Sequence, residues 1–153
     1  ENLAVFCKQL GIRTIGPDKV NQARHIQMLP DVAAVKSHMQ KHAAILKPRF
    51  DCVLKHLDEA FAGSDLGEWT NPAGGYFVSF NTRAGLATTI VKLAAEAGVK
   101  LTPAGATFPY GKDPQNSNIR LAPSFPKLEE VDLCMAIFTT CVKLASVEQA
   151  LEK

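Results

Sequence analysis

The sequence predicts an α/β fold of the α+β kind, in which a small three-stranded sheet packs against one long kinked helix and two further helices. The first observation is a stripe: from Asp31 the apolar residues Val32, Val35, Met39, Ala43, Leu46, Phe50, Val53 and Leu57 recur in alternating steps of three and four. The second is a set of short runs rich in aromatic and β-branched residues, "YFVSFN", "VKLTP" and "NIRLAP", each of strand length. The third is a pair of amphipathic segments with helix-start and helix-stop residues at their ends. A chain of 153 residues with 46% hydrophobic and 21% charged residues can bury a core of its own, which excludes the disordered and fibrous classes.

Taken in order, "NLAVFCKQLG" predicts a short helix ended by Gly11, and Pro17 with Asp18 starts a second through "GPDKVNQARHIQML". The long helix runs from Asp31 towards Gly63. Pro48 removes one backbone donor inside it, yet the stripe stays in phase through Leu46 and Phe50, so a kink near residues 44 to 48 is expected rather than a break. After the turn-rich "GSDLGEWTNPAGG", "YFVSFN" is the first expected strand. Asn81 or Thr82 then caps a helix over "RAGLATTIVKLAAEA", with Leu86, Ile90, Leu93 and Ala97 on one side and Gly98 as its stop. "VKLTP" is the second strand and "NIRLAP" the third, separated by the loop "AGATFPYGKDPQNS". Ser124, Pro126, Glu129 and Glu130 mark the start of a last helix, whose stripe is Val131, Cys134, Met135, Phe138, Cys141, Val142 and Ala145.

A net charge of +2 with scattered lysines and arginines argues against nucleic acid and anionic membrane as partners. No apolar run has the length of a membrane span and no secretory leader is visible, so a cytoplasmic protein is expected. Cys7, Cys52, Cys134 and Cys141 lack metal-finger spacing and read as reduced thiols. The chain begins with Glu1, which predicts a fragment.

Few residues offer chemistry. His38 and His42 have the spacing of a two-histidine zinc site, but Met39 stands where a metalloprotease places its glutamate and no third ligand suggests itself, so no metal is expected. Lys112 lies in a loop with nothing apolar beside it and reads as a solvated amine. The glycine pair in "NPAGGYF" is either a turn entering a strand or a place where backbone approaches a ligand. Arg120 is the residue of most interest. If Ile119 and Leu121 face the helices, alternation turns Arg120 to the other face with Asn118 and Ala122. There it is either a solvated edge charge or a fork for a small anion.

"NPAGGYFVSF", then "AAEAGVKLTPAGATFPYG", then "NIRLAPSFP" ahead of a final amphipathic helix, together resemble the C-terminal small domain of fold-type I pyridoxal-phosphate aminotransferases. "IGPDKVNQARHIQMLPD" and "HMQKHAAILKPRFDCVLKHLDEAF" look more narrowly like the aspartate-aminotransferase-like group called MocR-type. The resemblance implies that residues 28 to 153 are that small domain and residues 1 to 27 the helical tail of a large domain lying upstream. It implies that Arg120 binds the α-carboxylate of an amino-acid or 2-oxo-acid substrate, with Gly74, Gly75 and Tyr76 near the substrate entrance, while the shared strand face puts Asn118 close to the substrate as well. It also implies pyridoxal phosphate in the full-length protein and none bound to this fragment, because the cofactor's lysine and phosphate loop belong to the large domain. The partners implied are that large domain and a second copy in a homodimer, and the reaction is transfer of an amino group, inactive in the fragment alone. An aminotransferase-like ligand-sensing domain of a transcription regulator is the alternative. Pro48 is the expected hinge between open and closed forms.

Overall fold

The computed structural model describes residues 2–152. By contacts the chain divides into two compact units, Glu1–Ala43 and Ala44–Lys153. The first holds α1 (Asn2–Arg13), α2 (Lys19–Met28) and the beginning of α3 (Val32–Phe61). Asp18 caps α2 as expected, its side chain accepting from the backbone N–H of Asn21 at 2.9 Å. Asp31 does the same for α3, accepting from Ala34 N–H at 2.7 Å. Gly11 does not end α1, which continues to Arg13; the terminator expected there lies inside the helix. Neither α1 nor α2 buries a residue, although Leu3, Phe6, Ile12, Val20 and Ile26 are large and apolar.

The long helix passes Pro48 as one continuous element. Its stripe splits in use. Val53, Leu57 and Phe61 are buried in the core, whereas Val32 and Met39 are exposed.

The second unit is built on a three-stranded antiparallel sheet, β1 (Gly67–Trp69), β2 (Val78–Thr82) and β3 (Asn118–Leu121), in the order β1-β2-β3. The sheet has the expected number of strands but not the expected members. "VKLTP" is not a strand: Val99 is buried and Leu101 half-buried, so the apolar alternation is genuine, but the segment pairs with no neighbour. Its place is taken by Gly67–Trp69, which pairs with β2 through Gly67 opposite Thr82 and Trp69 opposite Phe80. Val78, Phe80, Ile119 and Leu121 point to one face and are buried. Against them pack Leu57 and Phe61 of α3, Ala87, Ile90 and Ala94 of α4 (Ala87–Glu96), and Val131, Met135, Phe138 and Val142 of α5 (Leu128–Leu151). Phe80 meets Phe138 edge-on at 5.3 Å between ring centres, the favoured aromatic geometry.

Helix α4 shows how this unit is stitched together. Thr82 ends β2, so neither it nor Asn81 caps the helix. The cap comes from Asn116 instead, whose side-chain oxygen accepts from the backbone N–H of Thr88 at 3.1 Å and from its hydroxyl at 2.7 Å. At its other end the N–H of Val99 bonds the carbonyl of Ala94 at 2.7 Å and that of Gly98 bonds Ala95 at 3.0 Å, with Gly98 at φ +88°. This Schellman closure needs the left-handed conformation that glycine adopts without strain. Helix α5 starts at Leu128, and Glu130 reaches back to accept from Lys127 N–H at 2.7 Å.

Candidate functional site

Register places Ser79 opposite Arg120 and Asn81 opposite Asn118, on the sheet face turned away from the core. Phe77, two residues before Ser79, belongs to the same face. The segment from Val99 to Phe108 packs Val99, Leu101 and Ala104 with the core and reaches that face through two side-chain bonds: Thr107 Oγ1 donates to Asn118 Oδ1 at 2.6 Å, and Arg120 Nη2 donates to Thr102 Oγ1 at 3.4 Å. The misassigned strand is therefore a strap over the polar face.

Asn118 is committed to this framework. Its amide nitrogen donates to Ser79 Oγ at 2.9 Å and Asn81 Oδ1 at 2.6 Å, and its own backbone N–H goes to Asp113 at 2.8 Å. The Asp113 carboxylate also accepts from Ser117 and Gln115 N–H. These backbone bonds, that of Asn118 foremost, hold its pKa below the usual carboxylate range.

Arg120 sits on an edge strand, yet it is half-buried rather than solvated. Its guanidinium carbon lies over the Phe77 ring, 4.4 Å from the ring centre, so the aromatic ring covers one side of the cation. The bond to Thr102 is long. Among the described residues, Arg120 Nε is the buried side-chain nitrogen without any hydrogen-bond partner. A buried cationic donor left unpaired costs free energy, and an anion arriving in the plane of the fork would satisfy it. Gly74, Gly75 and Tyr76 lie exposed in the loop before Phe77, with Gly75 at φ +97°.

An open groove of about 680 Å³, lined by Asp65, Glu68, Asn81, Asp113 and neighbours, has the wrong sign for an anion, and Arg120 is not in its wall. Arg83, beside it, gives Nη2 to both oxygens of Asp65 at 2.6 Å, which holds the Asp65 carboxyl below its ordinary range.

His38 and His42 do bring their Nε2 atoms to 3.0 Å, but no third ligand joins them among the described residues. Lys112 is exposed. A cluster that local spacing did not single out lies between α3 and α5. There His56 Nε2 is 2.8 Å from Asp132 Oδ1, and Cys52 Sγ is 3.8 Å from the same oxygen. The bond to His56 lowers the Asp132 pKa, while burial and then the neighbouring carboxylate raise that of Cys52.

With this geometry in place, comparison with known proteins is decisive on the family. The family model described as aspartate amino-transferase matches residues 1–153. The chain belongs to that family. An aspartate aminotransferase of Corynebacterium glutamicum is 46% identical over 148 residues, covering 97% of this chain and 34% of the relative. The crystal structure of an aspartate transaminase from the same species superposes with a TM-score of 0.88 at 46% identity, over 94% of this chain and 34% of that one. The alpha-aminoadipate aminotransferase LysN of Thermus thermophilus, solved in complex with N-(5'-phosphopyridoxyl)-L-leucine, shares the fold. It matches with a TM-score of 0.63 at 19% identity, over 74% of this chain and 28% of that one. The chain thus spans about a third of the length of these aminotransferases. No helix among the described residues is long and apolar enough to cross a membrane.

Proposed function

We propose that this chain is the C-terminal, substrate-gripping part of a transaminase, in which Arg120 binds the α-carboxylate shared by an amino acid and its 2-oxo acid. The observation that carries the reading is the buried, unpartnered Nε of Arg120, in a guanidinium that lies over the Phe77 ring. Serving as one prong of a bidentate fork, that Nε would gain the partner it lacks. Asn118 acts through the framework: bonded to Ser79, Asn81 and Thr107, it stiffens the floor beneath Arg120 instead of touching substrate. Gly74, Gly75 and Tyr76 stand at the substrate entrance in this scheme. Aspartate is the substrate that the relatives' names favour.

Pyridoxal phosphate belongs, in this proposal, to the part of the protein outside these residues. The cofactor takes a lysine for covalent attachment and a cradle for its phosphate, and the Arg120 face supplies neither, while Lys112 is exposed. When bound, the cofactor supplies the electron sink for chemistry at the α-carbon. This chain's contribution would be orientation: by holding the carboxylate, Arg120 would fix which α-carbon bond is presented for reaction. The apolar residues that α1 and α2 leave exposed are the surface that the rest of the protein covers, and a second copy completes a homodimer. The narrower MocR-type affiliation rests on the segment from Ile15 through α3.

The test is Arg120→Ala in the full-length enzyme. Loss of a charge-assisted, two-pronged contact of about 2–4 kcal/mol weakens amino-acid and oxo-acid affinity roughly thirty- to a thousandfold. Unchanged affinity would remove the carboxylate role.

A further inference from the structure

We propose that Cys52, His56 and Asp132 form a site for a thiophilic divalent cation, best matched by zinc, at the junction of α3 and α5. Cys52 and His56 stand one turn apart on α3, so both side chains leave the same face of that helix. Asp132 enters from the second turn of α5. One ligand atom from each residue lies within 4.8 Å of the other two. Zinc bonds thiolate sulfur, imidazole nitrogen and carboxylate oxygen at about 2.0–2.3 Å in tetrahedral geometry, which sets neighbouring ligand atoms roughly 3.4 Å apart. The observed separations, 2.8 Å for His56 to Asp132 and 3.8 Å for Cys52 to Asp132, bracket that spacing. Seating an ion therefore means opening the His56 to Asp132 contact by roughly 0.6 Å and drawing Cys52 towards Asp132 by roughly 0.4 Å, with Cys52 and His56 already within 4.8 Å of each other.

The donor set selects among cations. One soft sulfur and one imidazole disfavour magnesium and calcium, which take oxygen ligands, and favour zinc or cobalt. Burial suits the site as well. The His56 side chain is 21% exposed and Cys52 half-buried, whereas the Asp132 side chain is 69% exposed, so the cluster opens to solvent on the carboxylate side. That opening leaves the fourth coordination position for water. The cluster differs from the His38 and His42 pair, which has two ligands only.

The experiment uses the full chain carrying His38→Ala and His42→Ala, so that the histidine pair does not contribute. Zinc alone is titrated in competition with a chromogenic chelator, and cobalt alone is followed by its thiolate charge-transfer absorption. One ion per chain and a near-ultraviolet cobalt band are expected. Cys52→Ser abolishes the band, and Cys52→Ser, His56→Gln and Asp132→Asn each weaken zinc binding at least roughly tenfold. Asp132 is largely exposed, so Asp132→Asn leaves the fold intact even if Cys52→Ser disturbs the helix packing; far-ultraviolet circular dichroism checks both. Absence of one-to-one binding, or binding that all three substitutions leave unchanged, overturns the proposal and makes the cluster a hydrogen-bonded link between helices.

Discussion

Arg120→Met should make the isolated chain more stable while removing its ability to bind a carboxylate. The wild-type guanidinium carries a buried Nε with no partner, and an orphaned donor of that kind costs about 1–3 kcal/mol. Two contacts offset part of this cost. Stacking on Phe77 at 4.4 Å contributes about 0.5–1 kcal/mol at a half-exposed site, and the 3.4 Å bond to Thr102 adds less than about 0.5 kcal/mol. Methionine keeps the unbranched stem and a favourable sulfur contact with the ring, so most of the packing against Phe77 survives. The balance is a gain of about 1 kcal/mol, or roughly 3 °C in Tm for a chain of this size. Urea unfolding measures it as a higher midpoint at unchanged slope. Succinate supplies the second arm: at ten times its Kd it stabilises the wild type by about 1.4 kcal/mol and leaves the variant unmoved. If Arg120→Met were instead destabilising by 1 kcal/mol or more, the guanidinium would be bracing the fold and not waiting for an anion.

Three further outcomes are expected. Asp113→Asn should flatten the acid limb of stability: the Asp113 pKa is depressed by backbone N–H donors, so its contribution is complete above about pH 4 and lost as pH falls through the folded value. A Tm series in acid reads this, and an unchanged limb would mean that those bonds form equally well to the protonated group. Gly105→Ala should destabilise by about 2 kcal/mol or more in urea, because Gly105 holds φ +84° and a Cβ there meets the Gly111 carbonyl oxygen. Incubation of this chain with pyridoxal phosphate and borohydride should modify no lysine selectively, as peptide mapping would show; one uniquely labelled lysine would place cofactor attachment inside the chain.

What the sequence made legible is what local periodicity encodes. The α5 stripe, from Val131 to Ala145, is buried or half-buried throughout, and the alternation across "NIRL" correctly turned Arg120 away from the core. Features that depend on distant partners stayed hidden. Gly67–Trp69 has only three residues and one glycine, so nothing marks it as a strand until β2 lies beside it. "VKLTP" shows the burial rhythm of a strand, but a ladder takes backbone partners on a neighbouring strand, whereas the Val99 N–H is taken by the Ala94 carbonyl at the end of α4 and Thr102 is met by the Arg120 side chain. The cap of α4 comes from Asn116, 28 residues beyond the N–H it receives. Cys52 and His56 do carry the helical spacing of a ligand pair, a signal present in the sequence, but Asp132 joins them from 80 residues beyond Cys52. The N-terminal half of the α3 stripe is the reverse case, a clear helical pattern whose Val32 and Met39 stay exposed.

The strap from Val99 to Phe108 has a consequence for how such a site can change. Two threonine hydroxyls hold it to the polar face, whereas β2 and β3 are zipped by backbone bonds that no side-chain substitution removes. The strap can therefore shift its hold on this face, one hydroxyl at a time, while the register that aims Arg120 stays untouched.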